Sequence, residues 1–139
     1  MYDRLTPISY NLGSVDFASG ADSTISIPLP PGVKMARVLD VILQVTEVFT
    51  AVTTPAKVLV GVAADPDSMV SMTIATPAAG TLVNLRTYPG SNLAVYNAGG
   101  TMGTVTALLV SLIDTTGGTL TGTADVTVVI GYDQIEDVA

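Results

Sequence analysis

The chain of 139 residues has no cysteine, no histidine and no tryptophan, and its only cations are Arg4, Lys34, Arg37, Lys57 and Arg86. Each absence removes a class of function. Without cysteine there is no disulfide framework and no thiolate metal centre. Without histidine the commonest general base, the Ser-His-Asp triad and the imidazole-rich metal sites all disappear. Five cations against twelve carboxylates leave a formal charge of −7, the wrong sign for a surface that gains affinity by meeting phosphates, so no nucleic acid partner is expected. Every apolar run is broken by Asp, Thr, Gly or Pro before the roughly 20 residues of a membrane span, so no membrane partner is expected either. Asp3, Arg4 and Asp16 interrupt the first twenty residues, which do not read as a signal peptide, and synthesis and folding in a cytoplasm are expected.

What remains is apolar and small. Hydrophobic residues make up 48% of the chain and charged residues 12%, a balance that argues against disorder and for a folded domain with an unusually uncharged exterior. Asp22 to Leu29 alternates, with Ile25, Ile27 and Leu29 on one side and Thr24, Ser26 and Pro28 on the other, the period of two of a half-buried strand. Met35 to Phe49 fits two periods. Leu39, Val41, Leu43 and Val45 share a strand face, while Arg37, Asp40, Gln44 and Glu47 recur at helical spacing; the β-branched content and flanking turns favour a strand.

Lys57 to Val62 alternates again, and Asp65-Pro66-Asp67-Ser68 is expected as a turn that caps a short helical turn over 69–72. Thr81 to Thr87 and Asn92 to Asn97 are short strand candidates. Val105 to Ile113 is almost continuously apolar, as a central strand covered on both faces should be, and Val126, Val128, Ile130 and Tyr132 alternate with Asp125, Thr127, Val129 and Gly131. About eight short strands without a long helix predict an all-β fold, a β-sandwich of jelly-roll type with antiparallel strands. The expected division is an N-terminal arm at 1–20 that packs either on this domain or on a neighbour, the sandwich at 21–134 and a short acidic tail at 135–139. The arm carries Tyr2, Tyr10 and Phe17, the expected partner-binding side chains.

Carboxylates are the only catalytic chemistry left. Asp40 with Glu47, or Asp114 with Asp125, are the pairs a glycosidase-like site would draw on, since that chemistry needs two carboxyls about 5 to 10 Å apart across a cleft. Solvated strand-edge carboxylates are the simpler reading, so no enzyme activity and no catalytic residue are expected. Asp65 and Asp67 have the spacing of the first ligands of a calcium loop, but Pro66 lies between them and no suitably spaced Glu follows, so neither metal nor cofactor is expected. The glycines at 99, 100, 103, 117, 118 and 122 lack the lysine and the following helix of a phosphate loop. Tyr88 and Tyr96, beside Asn84, Asn92 and Asn97, form the patch on which the alternative function, a lectin-like carbohydrate-binding sandwich, would rest.

The stretches IPLPPGVKMARVLDVILQVTEVFT, VLVGVAADPDSM and TGGTLTGTADVTVVIGYD together resemble small jelly-roll structural proteins of tailed bacteriophage particles, in particular capsid decoration or head-accessory proteins. The resemblance runs from about Ile25 to Asp133 and rests on strand-and-turn texture. It implies a virion component, made in the host cytoplasm, that forms a homo-oligomer, often a trimer, and binds the major capsid protein. The arm would then grip a neighbour by strand addition or by inserting Tyr2, Tyr10 or Phe17. The purified chain is expected to give a circular-dichroism spectrum dominated by β-structure; a spectrum dominated by helix would overturn the architecture.

Overall fold

The computed structural model describes residues 6–19, 21–33, 36–50, 55–74, 77–84, 107–114 and 121–132, with the backbone alone at 66–68. Eight strands follow one another: β1 (Thr6–Asp16), β2 (Ser23–Pro28), β3 (Ala36–Glu47), β4 (Lys57–Val62), β5 (Asp65–Thr73), β6 (Leu82–Asn84), β7 (Ala107–Ile113) and β8 (Thr123–Tyr132). They form two four-stranded sheets of order β1-β8-β3-β6 and β2-β7-β4-β5, and every pairing is antiparallel. The pairs β1·β8, β2·β7, β3·β6 and β4·β5 are nested. This is the connectivity of one long hairpin rolled into two layers, which defines a jelly roll.

The alternation seen in the sequence becomes rows of side chains across the pleat. In the first sheet Tyr10, Val128 and Val41 stand in one row, and Ile8, Ile130 and Val38 in the next. In the second, Ile25, Val110, Val60 and Val70 form the matching row. Val38, Val41, Val60, Val70, Val110, Val128 and Ile130 are all buried between the layers. The strand reading of Met35 to Phe49 holds over Ala36–Glu47, and Val41, Leu43 and Val45 share the inward face expected of them, but Leu39 does not. Bulges between Val38 and Asp40 and between Val45 and Glu47 each insert an extra residue, so Val38 and Val41 both point inward while Leu39 is only half-buried. Strict alternation had placed Leu39 with Val41, and a bulge resets the phase.

Three other expectations change. The turn between β4 and β5 falls at residues 63 and 64, and Asp65 already begins β5. Residues 69–72 are strand and not a helical turn, because their pairing with β4 satisfies the backbone that a helical turn would have satisfied locally. Of the strand expected over Thr81 to Thr87, the described part is the three-residue β6, and Asn92 to Asn97 lies outside the described residues.

The largest departure is at the N-terminus. Within the stretch expected as an arm, residues 6–16 form β1, in register with β8 from Thr6 opposite Tyr132 to Asp16 opposite Thr123. Its inward residues Ile8, Tyr10, Leu12 and Val15 pack on the core. An edge strand buries only half of each side chain, which is why its periodicity is faint in the sequence. A bulge at Leu12 bends β1, and there Gly13 takes φ +79° while donating its N–H to Asn11 Oδ1 at 2.7 Å.

Phe17 follows β1 into the end of the core, with its ring 5.4 Å from that of Phe49 and its N–H on the Gly122 carbonyl at 2.7 Å. A Cβ built on Gly122 would lie 2.9 Å from Phe49 Cδ2, too close for any side chain. Gly122 lets the start of β8 run flat against the ring. Thr121 then locks this end, because its N–H donates to Thr50 Oγ1 at 2.9 Å and its hydroxyl to the Val48 carbonyl at 2.7 Å. Gly122→Ala is expected to lower unfolding free energy by about 1 to 3 kcal/mol through overpacking, and Phe17→Ala by about 3 to 5 kcal/mol through loss of a buried ring, both measured by urea denaturation. A Phe17→Ala variant as stable as the parent would mean that Phe17 is not part of the core.

Candidate functional site

The architecture disperses the carboxylates on which catalysis would depend. Asp40 and Glu47 lie on one strand seven positions apart, a span of roughly 20 Å at strand rise. Asp40 Oδ1 accepts the Val41 N–H at 2.9 Å, and Glu47 Oε1 accepts from Thr123 Oγ1 at 3.2 Å and from the Gly122 N–H at 3.4 Å. Asp125 lies on the outer side of the first sheet, in register with Ser14 and Gln44, whereas Asp114 directly follows β7 of the second sheet. Neither candidate pair is brought together.

Asp114 is buried, at 6% exposure, and holds a loop in place. Its Oδ2 accepts from Ser19 Oγ at 2.9 Å and from the Ala21 N–H at 3.0 Å, while its own N–H donates to Asp22 Oδ1 at 2.8 Å. A buried carboxylate must be hydrogen-bonded to be tolerated, and here the bonds tie the β1–β2 connection to the end of β7.

Of the expected partner-binding residues, Tyr2 lies outside the described residues. Phe17 is fully buried and offers no surface to a neighbour, a correction that follows from β1 being a strand of the sandwich. Tyr10 is half-buried, and its hydroxyl shares a 2.7 Å hydrogen bond with that of Tyr132. Burial, and then the Tyr10 hydroxyl beside it, push the Tyr132 phenol far above its ordinary value of 10.0. Asp65 is exposed at the β4–β5 turn, and Asp67 belongs to a stretch described by backbone alone. Among the described residues no group of three or more acidic, histidine or cysteine side chains is placed to hold a metal ion. Tyr88, Tyr96, Asn92, Asn97 and the glycines at 99, 100, 103, 117 and 118 lie outside the described residues, while Asn84 ends β6.

The two outer faces contrast most sharply in charge. Register places Asp16, Asp40, Glu47 and Asp125 on the outside of the first sheet, with Arg37 as the one cation there among the described residues. On the outside of the second sheet stand Thr24, Ser111, Leu59 and Ser71 in one row and Ser26, Leu109 and Gly61 in the next, with Ile113, Lys57 and Thr73 beyond. Among the described residues Lys57 is the only charge on that face. The sequence carried a signal of it: β7 is apolar at both phases, so Leu109 and Ile113 face outward while Leu108, Val110 and Leu112 face inward.

The nested pairing and the two-layer core define the class: a jelly-roll β-sandwich, with eight strands among the described residues. No protein-family model and no curated protein matches the chain. Among solved structures it is similar to a chain of the "Cyanophage Pam1 capsid asymmetric unit", at 18% identity and a TM-score of 0.45, over 94% of this chain and 88% of that one.

The Tyr132 shift has a definite sign. A phenol whose folded pKa is raised contributes stability that is fully present below the unfolded value near 10.0 and falls as pH rises above it, because the unfolded chain then releases a proton that the folded one keeps. Tyr132→Phe is expected to lose about 1 to 2 kcal/mol at neutral pH, since the Tyr10 hydroxyl loses its partner, and to show a shallower fall in stability above pH 10 than the parent. Denaturant melts across that range measure both; an identical alkaline slope would show that Tyr132 is not protected.

Proposed function

We propose that the chain is a non-enzymatic structural protein of a virus particle, a capsid decoration or head-accessory protein that self-associates and binds the shell of a tailed phage. The observation that carries this reading is the contrast between its two outer faces. A monomer that works alone in water has little use for a four-stranded face with one charge among its described residues, whereas a protein that spends its working life against copies or a shell does. The resemblance of the Ile25 to Asp133 texture to small jelly-roll virion proteins supports the same reading. So does the dispersal of Asp40, Glu47, Asp114 and Asp125, each of them engaged in hydrogen bonds or set on a different layer.

The partner-binding role expected of the N-terminal segment passes from an arm to the faces. Three of the four sheet edges are guarded: β1 contains Pro7 and a bulge, β2 is short and ends on Pro28, and β5 contains Pro66. Proline cannot donate to an added strand, and short or bulged edges offer it no continuous ladder. At these edges contacts with copies or shell therefore run through side chains on faces and loops.

Mass spectrometry of virus particles that carry this gene is expected to find the chain at a copy number comparable to that of the shell protein. Particles without it, together with saturable binding of the purified chain on a glycan array, would replace this reading with the carbohydrate-binding one.

A further inference from the structure

We propose that residues 6–11 form a flap, hinged at Leu12 and Gly13, that swings away from the sandwich as one unit and uncovers the edge of β8 over residues 127–132. The proposal concerns the internal motion of a single copy and does not rest on the virion reading.

The bulge divides β1 into two parts that are held very differently. Residues 6–11 pair with 132–127 without interruption, the register then skips Leu12, and residues 13–16 pair with 126–123. The second part runs directly into anchors. Asp16 Oδ1 accepts the Ala18 N–H at 2.9 Å, Phe17 is fully buried against Phe49 with its N–H on the Gly122 carbonyl, and the Ser19 hydroxyl and Ala21 N–H both donate to Asp114. The first part has no comparable anchor among the described residues. Its inward side chains Ile8 and Tyr10 are only half-buried, Pro7, Ser9 and Asn11 are exposed, and Pro7 brings no N–H to the ladder. Beyond the ladder its clasp is the Tyr10 hydroxyl, 2.7 Å from that of Tyr132.

Gly13 supplies the hinge. It takes φ +79°, a left-handed value that glycine reaches without strain, and a Cβ built on it would meet nothing within 4 Å. The backbone therefore turns there without striking a neighbour. The bond from the Gly13 N–H to Asn11 Oδ1 at 2.7 Å is local and shapes the closed turn. Because the bulge interrupts the ladder, the bonds of residues 6–11 reinforce one another but not those of 13–16, and the two parts open at different free energies. Opening bares the flank of Val128, Ile130 and Tyr132, which are otherwise buried. The closed flap is thus the cover that keeps a long apolar strand from presenting an unpaired edge.

Residue-resolved amide hydrogen exchange on the full chain tests the flap. The β8-bonded amides among residues 8–11 are expected to share one opening free energy and to exchange on the order of a hundredfold faster than those of 14–16 and of β7. Their rates should rise only weakly with urea, since so short an opening exposes little surface. Ser9→Cys with Val129→Cys joins an outward-facing pair in register, in a chain with no other cysteine, and its disulfide ties the flap to β8. The oxidised variant should exchange residues 8–11 as slowly as 14–16, and the reduced variant should behave as the parent does. Rates graded from Thr6 inward would reduce the flap to a fraying chain end and overturn the proposal. So would one rate shared by 8–11 and 14–16, or exchange that the disulfide leaves unchanged. If the double variant does not fold, the pattern of rates in the parent decides alone.

Discussion

The structure depends on the register of β8. That strand lies between β1 and β3 and presents Val126, Val128, Ile130 and Tyr132 to the interior without any exposure. A slip of one residue would turn all four outward and bring Asp125 and Thr127 into the core, a change that no local rearrangement offsets. Each neighbour is therefore held to a single alignment. The bulges at Leu12 in β1 and at two points in β3 are the places where a long strand absorbs a mismatch of phase while β8 keeps its own.

From that register the ends of the sandwich follow. Where β8 begins, Gly122 passes under the Phe49 ring, Phe17 closes over the same corner, and Thr121 joins the chain after β3 to the chain before β8. Asp114 plays a comparable part at the end of β7, where its carboxylate organises the β1–β2 connection. The residues that resemble chemical machinery in the sequence, a buried carboxylate and a glycine beside threonines, thus secure connections between layers. The Tyr10 and Tyr132 hydroxyls satisfy one another where β1 meets β8, so a polar pair is accommodated beside an apolar core.

Much of the sandwich was legible in the residues themselves. Val58 and Val60 in β4, Ile25 and Ile27 in β2, and the inward set of β8 obey the period of two, and their strands are where alternation put them. Leu39 was misplaced because a bulge has no signature in side-chain type. The segment before Phe17 passed for an arm because an edge strand with Ser9, Asn11 and Ser14 on its open side carries little hydrophobic contrast. The neutral face was half legible: the doubly apolar pattern of β7 announced a strand with two occupied faces, but Leu59 of β4 joins it only once β4 is known to pair with β7.

Composition and period determined the class of secondary structure, the lack of imidazole and thiol chemistry, and which residues of each strand are apolar, because these properties are local and are set by side-chain chemistry and the pleat. Tertiary structure alone decided that β1 pairs with β8 and β4 with β7, that four carboxylates share one outer face while Lys57 is the lone charge among the described residues of the other, and that Phe17 lies inside. Those outcomes depend on contacts between residues a hundred positions apart, as Tyr10 and Tyr132 are, and the free energy of such contacts is set by the packing of the whole sandwich and not by any segment of it.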